Sequence, residues 1–229
     1  MSIILSIETS TELASAALLQ GDRIISRESS GVQTHSQTIL PMVQSLLGEA
    51  GIALGQCDAI AFGAGPGSFT GVRTACGIVQ GLAFGAALPV ISIVTLQAMA
   101  EALRNRTGAT DVLAVLDARM GEVYWAQYRY QDGWQTIVEP TLSAPSAVLP
   151  VGEVVACGNG MSAYAAAFAD RVYAIGAHAA VMPHAEQIAS LASAALAQGN
   201  TIIARDAQPL YLRNKVALTT KERLAKVLV

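Results

Sequence analysis

Charged side chains are scarce in this sequence, and so are aromatic ones. Only 14% of the 229 residues are Asp, Glu, Lys or Arg and 5% are aromatic, whereas 52% are hydrophobic. With a net charge of −3, the chain lacks the positive surface of a protein that binds nucleic acid over its whole face. The length predicts two small domains or one large α/β unit, with ample apolar material for a core.

Cysteine and histidine are also rare, with three of each. Cys57, Cys76 and Cys157 show no CxxC spacing, so we expect no disulfide framework and a reducing, cytoplasmic compartment. The histidines form no HxxxH or HExxH motif, which argues against a metal site. The first residues include no basic region of the kind that opens a signal peptide.

One stretch, residues 74–100, has no charged residue and is long enough to span a bilayer. Pro89 interrupts it, and glycines and glutamines inside it weaken a lipid-facing helix. We therefore predict a buried helix over 70–87, a break at Pro89, a buried strand at VISIV (90–94), and no membrane association.

The chain repeats its own plan. Residues 3–22 and 112–133 each hold an apolar strand that ends in an acid, a polar turn, an alternating strand and a turn with Asp. Three closely spaced strands must be antiparallel neighbours, and helices are predicted over 36–50, 96–104, 161–168 and 184–198. We predict a duplicated βββαβαβα fold of the α/β class with subdomains 1–108 and 109–229, the second less complete, and a proline-containing connection over 139–152.

GAGPGSFTGVR (63–73) holds four glycines and a proline between a strand and a helix. Backbone N–H groups at such a helix start suit an anion. The loop lacks the GKS or GKT of a Walker A motif and the spacing of a dinucleotide fingerprint. A ligand loop and a purely structural turn are both compatible with this stretch, and Ser68 or Thr70 is expected to cap the helix.

The helix behind the loop carries Gly77, Gly81 and Gly85, which share one face because they are four residues apart. Each glycine costs a helix about 1 kcal/mol relative to alanine, so the stripe needs a reason. Tight packing on the protein's own sheet and contact with another protein's helix are the two candidate reasons.

ETSTE (8–12) lies at the tip between the first two strands. A carboxylate beside two hydroxyls can coordinate Mg²⁺ or contact a phosphate, but the same residues also form local turn bonds. The second copy offers a comparable set, namely Asp117, Arg119 and Glu122.

Five segments, in order along nearly the whole chain, resemble the bacterial TsaB (YeaZ) family. They are IILSIETSTELASAALL (3–19), HSQTILPMV (35–43), GAGPGSFTGVRTACGIVQGLA (63–83), LDARMGEVYWA (116–126) and PLYLRNKVA (209–217). The resemblance implies the actin/Hsp70/sugar-kinase fold with two related subdomains, in agreement with the duplication.

The resemblance also implies a role in forming N6-threonylcarbamoyladenosine at position 37 of tRNAs that decode ANN codons. In that family TsaB is the non-catalytic paralogue of TsaD, which carries an HxxxH motif and transfers the threonylcarbamoyl group. The implied partners are TsaD in a heterodimer, the ATPase TsaE, a second copy when the chain is alone, and tRNA through the complex. No catalytic residue can be transferred, because this sequence lacks HxxxH.

The resemblance places the contact with TsaD, and dimerisation, on the helices of the first subdomain. The interface residues expected from it are His35, Leu40, Val43, Leu47, Arg73, Gly77, Gly81 and Gly85. The residues expected as remnants of a cofactor site are Glu8, Thr9, Ser10, Gly65, Gly67 and Ser68. We expect the chain alone to require no cofactor or metal, and place ATP or ADP, if bound, at the partner interface.

Two other functions fit parts of the sequence. A stand-alone ATP-binding phosphotransferase or ATPase would use ETST and GPGSFTG. A direct tRNA-binding module would use residues 213–229, where five Lys or Arg face one acid, although such a tail is also typical of a solvated chain end.

Overall fold

The computed structural model describes residues 2–30 and 35–213. Two sheets organise this part of the chain, and each is built from one half of it. The first has the strand order β3-β2-β1-β4-β5 and the second β8-β7-β6-β9, so the two share one plan. The strands are β1 Ile3–Glu8, β2 Leu13–Gln20, β3 Arg23–Ser30, β4 Ala59–Gly65, β5 Val90–Val94, β6 Asp111–Asp117, β7 Val123–Tyr130, β8 Trp134–Ser143 and β9 Val155–Cys157.

In both sheets the first three strands are antiparallel and the later ones are parallel additions. β1 pairs antiparallel with β2 and parallel with β4, and β6 does the same with β7 and β9. The short links after the first strand of each half permit only antiparallel pairing, whereas a helix provides the crossover between β4 and β5. The predicted duplicated α/β arrangement, with a less complete second copy, is confirmed.

Helices cover both faces of the first sheet, which explains the nearly continuous apolar character of its strands. One face packs on α1 (His35–Ala50) and α2 (Phe69–Ala86) through one buried cluster. The other face packs on α6 (Ala185–Ala197) through a second cluster. α3 (Thr95–Thr107) lies between the two sheets and contributes mainly to the core of the second.

The helix α6 returns from the second half of the chain to the first sheet. Its first residue, Ala185, donates its N–H to the Ser15 hydroxyl at 3.0 Å and accepts a bond from the Ser6 hydroxyl at 2.8 Å. Both serines are fully buried, so these bonds satisfy polar groups inside the sheet–helix interface.

Two local predictions differ from the structure. The expected proline-containing connection begins later than predicted, because β8 continues to Ser143 and includes Pro140; β8 is an edge strand, where a missing N–H is tolerated. The helix expected over 161–168 is two short helices, α4 (Gly160–Ala163) and α5 (Ala165–Phe168), separated at Tyr164. The basic residues from 214 onward lie outside the described residues.

The uncharged stretch forms a helix, a break and a strand, as predicted: α2 ends at Ala86 and β5 begins at Val90. Within residues 2–30 and 35–213, no helix has the length and apolar character needed to cross a bilayer. All three cysteines are buried free thiols, and burial raises the pKa of Cys57 to about 11 and that of Cys157 to about 12.

Candidate functional site

The glycine loop closes on the turn after β1. A Cβ added at Gly63 would overlap the Glu8 carboxylate, and one at Gly71 would overlap the Thr9 carbonyl oxygen. A Cβ at Gly67 would lie 2.5 Å from the Ser10 carbonyl oxygen. Glycine is therefore required at these positions for close contact with the protein's own residues 8–10, and this contact favours the structural interpretation of the loop.

Hydrogen bonds hold the loop and the turn together. The Ser68 N–H donates to the Ser10 carbonyl oxygen at 2.7 Å, and the Thr9 hydroxyl donates to the Gly71 carbonyl oxygen at 2.7 Å. Ser68 caps α2, as expected for one of the two candidates, because its hydroxyl accepts from the Gly71 N–H at 3.4 Å. Some of the backbone N–H groups that could bind an anion at the start of α2 are therefore already bonded to the protein's own oxygen atoms.

Glu8 is completely buried under Gly63 at the end of β1. Its Oε1 accepts the Ser10 N–H at 2.5 Å, while its Oε2 has no hydrogen-bond partner among the described residues. Burial raises the pKa of this carboxyl, and the Ser10 and Thr95 hydroxyls oppose that rise only in part.

Asp117 ends β6 in the second half, at the place that corresponds to Glu8. Its Oδ1 accepts the Tyr164 hydroxyl at 2.9 Å and the Arg119 N–H at 2.8 Å, and its Oδ2 lies 3.2 Å from an Arg119 guanidinium nitrogen. The Asn159 amide oxygen accepts the Asp117 N–H at 2.9 Å. This acid is therefore held by an opposite charge and by hydrogen bonds.

A cavity of about 530 Å³, called the cleft from here on, lies between the two halves. The first half contributes Ser10–Glu12, His35, Gly67–Phe69 and Val72 to its lining, and the second contributes Leu116–Met120, Tyr124 and Asn159. Residues 210–213 complete the wall. Its size is in the range of small-molecule sites.

Ion pairs cross and border the cleft. Arg119 joins Glu12 of the first half at 2.5 Å while it also contacts Asp117. Arg213 lies 2.6 Å from Glu122 and donates to the Ala118 carbonyl oxygen at 3.1 Å. Arg213 thus holds the turn between β6 and β7.

That turn is strained. Arg119 and Met120 both have left-handed backbone angles, with φ of 60° and 59°, in a region that non-glycine residues seldom occupy. Met120 is 65% exposed, so its own packing does not offset the strain.

The segment Ala207–Arg213 connects the cleft with α2. The Ala207 carbonyl oxygen accepts bonds from the Gln80 side chain at 2.9 Å and the Cys76 thiol at 3.4 Å. Further along, the Arg73 side chain donates to the Tyr211 hydroxyl at 2.7 Å and lies 3.5 Å from the centre of the Phe69 ring.

The outer face of α2 is open. Apart from the neighbouring residues and backbone of α2 itself, no described atom lies within 4 Å of a Cβ placed at Gly77, Gly81 or Gly85, and all three residues are exposed. Packing on the protein's own sheet is therefore not the reason for this stripe. Phe84, which the sequence did not single out, is 83% exposed beside it. We call this surface, with Phe69 and Arg73 at its other end, the α2 face.

The residues predicted from the sequence fall into three places. Glu8, Thr9 and Gly65 are buried in the closed loop, whereas Ser10, Gly67 and Ser68 line the cleft. Among the expected interface residues, Val43 lies in the protein's own core and Leu47 is half-buried, so they do not belong to the exposed surface. His35 lines the cleft, and its Nε2 lies 3.3 Å from the Glu12 carbonyl oxygen. The exposed members are Leu40, Arg73, Gly77, Gly81 and Gly85.

Tyr211 and Arg213 were not predicted as site residues. Their segment, PLYLRNKVA (209–217), supports the family resemblance but contains no motif that assigns them a role. Within the part of the chain that the structure describes, no group of three or more His, Cys, Asp or Glu residues is arranged to hold a metal ion.

Known proteins match this chain over most of its length. The family model described as TsaD, tRNA N6-adenosine threonylcarbamoyltransferase, matches residues 23–228. The tRNA threonylcarbamoyladenosine biosynthesis protein TsaB of Escherichia coli K12 is 39% identical over 221 residues, covering 93% of this chain and 96% of that protein. Its namesake from Haemophilus influenzae is 40% identical over 225 residues, covering 93% and 94%.

A solved structure agrees with these sequence matches. The structure of YeaZ from Pseudomonas aeruginosa superimposes with a TM-score of 0.85 at 42% identity, covering 93% of this chain and all of that one. A second Pseudomonas aeruginosa structure, described as an uncharacterized protein similar to peptidase YEAZ, gives the same TM-score at 40% identity.

Proposed function

The chain belongs to the TsaB (YeaZ) family and has the family's two-subdomain fold of the actin/Hsp70/sugar-kinase type, and from this premise we propose that it serves as a docking subunit. Its role lies in the biosynthesis of tRNA threonylcarbamoyladenosine. In the proposed mechanism it binds TsaD, which transfers the threonylcarbamoyl group to adenosine 37 of ANN-decoding tRNAs. TsaE joins the same assembly, and this chain performs no transfer itself.

The α2 face is the observation that carries the proposal. Three glycines on one face cost the helix about 3 kcal/mol in total relative to alanines. The space beyond them is open, so nothing in the described part of the chain compensates for that cost. Close approach of a partner's helix supplies the missing compensation, since backbones can then pack without intervening side chains.

Bulky residues lie beside and before the glycines. Phe84, between Gly81 and Gly85, is 83% exposed, and Phe69, eight residues before Gly77 and with Arg73 over its ring, is 40% exposed. Aromatic and arginine side chains are enriched among the residues that dominate binding energy at protein interfaces. A central glycine hollow between such anchors fits a helix of a partner better than a small ligand.

The closed glycine loop supports the non-catalytic part of the proposal. Glu8, the acid that the sequence offers for a metal or phosphate, lies beneath Gly63 and is not among the residues that line the cleft. Thr9 is fully buried, and its hydroxyl is bonded to the Gly71 carbonyl oxygen. Glu8 and Thr9, which the alternative phosphotransferase function would use, therefore make contacts within the loop and the turn instead.

Substitution of Gly81 by leucine tests the docking role. Because the side chain would project into the helix–helix contact, we expect Gly81→Leu to weaken binding to purified TsaD by about 100-fold. Isothermal titration and size-exclusion chromatography measure this, and the circular dichroism of the variant should match that of the parent.

The matched control is Ala194→Leu, an exposed position on α6 at the opposite side of the first sheet. This variant should bind TsaD normally and support adenosine modification in a reconstituted assay. Undiminished binding of Gly81→Leu would overturn the proposed docking face. Threonylcarbamoyl transfer by this chain without TsaD would overturn the proposed division of labour.

A further inference from the structure

Met120 is the most exposed methionine in the described part of the chain. It lies in the turn between β6 and β7 and is 65% exposed. The other methionines among the described residues are buried or half-buried, namely Met42, Met99, Met161 and Met182. A thioether needs no deprotonation to react with a peroxide, so access decides which methionine reacts first. Of these five residues, an oxidant in solution therefore meets the sulfur of Met120 first.

The three cysteines compete poorly for the same oxidant. All three are buried, and the thiolate rather than the thiol is the reactive form of a cysteine. Burial raises the pKa of Cys57 to about 11 and that of Cys157 to about 12, and it also raises the pKa of Cys76. Thiolate is therefore scarce at neutral pH, which leaves the thioether of Met120 as the accessible group that a peroxide can oxidise.

The sulfur of Met120 already contacts a cation. Arg213 donates from Nη1 to this sulfur at 3.0 Å, and its Nη2 donates to the Ala118 carbonyl oxygen at 3.1 Å. The same Nη2 donates to the Glu122 carboxylate at 2.6 Å. The Arg213 side chain is only 15% exposed, so it is fixed against the turn. Because a thioether is a weak hydrogen-bond acceptor, the bond to Met120 is the weakest of the three.

Oxidation would replace this weak acceptor with a strong one. A sulfoxide is polar, and its oxygen can accept a charge-assisted hydrogen bond from a guanidinium. The methionine side chain is unbranched, flexible and exposed here, so it can turn the added oxygen toward Arg213 without repacking the core. The turn holds Arg119 and Met120 in left-handed backbone conformations, so a firmer bond from Arg213 would stabilise a strained segment.

We propose that Met120 is a site of reversible oxidation, at which the sulfoxide strengthens the bond from Arg213 and stabilises the turn between β6 and β7. The oxidant is hydrogen peroxide. A sulfur lone pair attacks one peroxide oxygen, the O–O bond breaks, and the departing hydroxide takes the proton of the transferred oxygen and leaves as water. Sulfur loses two electrons and the peroxide gains them. Methionine sulfoxide reductases reverse the change, as two thiols become a disulfide and the oxygen leaves as water.

Peroxide treatment of the full chain, followed by peptide mass spectrometry, tests the site itself. We expect Met120 to be oxidised at least tenfold faster than the buried residues Met99 and Met161. Added methionine sulfoxide reductases and a thiol should then return Met120 to the thioether. Oxidation of Met120 at the rate of the buried methionines, or a sulfoxide that the reductases do not remove, would contradict the proposal.

Limited proteolysis measures the effect on the turn. Trypsin cleaves after arginine, and Arg119, which is 71% exposed, directly precedes Met120. Cleavage requires the turn to open locally, so a firmer bond from Arg213 should slow it. We expect oxidation to slow the cut after Arg119 about 3- to 10-fold, the effect of one strengthened hydrogen bond. The cut after Arg171, which lies outside this turn, should keep its rate and serves as the internal reference.

Four variants link the effect to the sulfur and to its partner. Met120→Leu has no sulfur to oxidise, so peroxide should no longer change the cut after Arg119. Met120→Gln carries a neutral oxygen acceptor and should slow that cut without peroxide. Arg213→Gln should leave the oxidation of Met120 intact and abolish its effect on the cut. Met182→Leu is the matched control and should respond to peroxide as the parent does. Thermal midpoints verify that each variant folds.

An unchanged or faster cut after Arg119 in the oxidised chain would overturn the proposal, as would an undiminished response of Met120→Leu to peroxide. If Arg213→Gln fails to fold, Met120→Gln still decides, because its cleavage at the parental rate would show that an oxygen acceptor does not stabilise the turn. No partner protein enters these measurements, so their outcome is independent of the docking test with Gly81→Leu.

Discussion

Glu8 and Asp117 end equivalent strands in the two halves, but the two carboxyl groups differ in burial and in hydrogen-bond partners. Glu8 is fully buried beneath Gly63, and one of its oxygens has no hydrogen-bond partner in the part of the chain that the structure describes. Asp117 stays beside the cleft, where Arg119 and Tyr164 supply an opposite charge and a donor. Burial therefore raises the pKa of Glu8, whereas the oxygens of Asp117 keep a guanidinium and a hydroxyl as partners.

The glycines at or just beyond the end of the neighbouring parallel strand make the difference. In the first half Gly63, near the end of β4, lets that strand approach the carboxyl of Glu8 directly. In the second half Gly158 and Gly160, after β9, approach the backbone of Val115 instead, two residues before the acid. One backbone plan thus yields a sealed strand end in one copy and an accessible one in the other.

Among the tests of this comparison, Gly63→Ala should have the largest effect. Its methyl group would overlap the Glu8 carboxylate, so we expect the free energy of unfolding to fall by about 3 kcal/mol or more, as measured by urea denaturation. Gly48→Ala is the matched control, because no described residue outside α1 lies within 4 Å of a Cβ at that position, and it should stabilise the protein by about 0.5–1 kcal/mol.

A second substitution tests whether overlap with the Glu8 carboxyl causes the loss of stability in Gly63→Ala. Combining Gly63→Ala with Glu8→Ala removes the overlapping carboxyl and should recover part of the lost stability. Wild-type stability of Gly63→Ala alone would show that the strand end of the first half is not sealed in the way described.

The pH dependence of stability provides the next test. Because the pKa of Glu8 is higher in the folded chain than its ordinary value of 4.5, the native state keeps a proton that the unfolded state releases. Above pH 4.5 this group therefore lowers the free energy of unfolding by about 1.4 kcal/mol per pH unit, until its folded pKa is passed. Below pH 4.5 its contribution is constant.

Glu8→Gln should remove that slope while it keeps an oxygen to accept the Ser10 N–H. Chemical denaturation of both proteins from pH 4 to pH 8 measures the difference between their profiles, which isolates Glu8 from the other ionisable groups. Parallel profiles would mean that the carboxyl ionises as easily in the native state as in the unfolded chain.

The smallest expected effect concerns the ion pair that joins the halves. Glu12 and Arg119 are 80% and 71% exposed, so Glu12→Ala should cost no more than about 0.5–1 kcal/mol, and less in high salt. A double-mutant cycle with Arg119→Ala at low and high salt measures the coupling. A coupling above 2 kcal/mol would show that this bridge, rather than packing, holds the cleft in shape.

The sequence predicted the regular elements of the first half well, because their apolar periodicity and turn residues act locally. The strand–helix–strand order from β4 to β5 is an example, as is the cap of α2, for which Ser68 was one of two candidates. The duplication was also predictable, since the pattern of strand, acid, polar turn and strand recurs at an offset of about 110 residues.

The contacts that define the site were not predictable in the same way. Nothing in GAGPGSFTGVR indicates that Gly63, Gly67 and Gly71 meet residues 8–10, because strand pairing between distant segments creates those contacts. Tyr211 and Arg213 likewise gain their partners through long-range packing against α2 and the turn after β6. Val43, which the family resemblance placed at an interface, lies in the core through the packing of α1 on the first sheet.

The return of α6 to the first sheet bears on how the ribosome makes this protein. The nascent chain completes all five strands of that sheet about ninety residues before Ile188 and Ala192 emerge to cover its second face. Until then the buried hydroxyls of Ser6 and Ser15 also lack their bonds to Ala185. The N-terminal half is thus synthesised first but completed last. A fragment that stops at residue 108 would leave the apolar face that α6 covers exposed to chaperones and proteases.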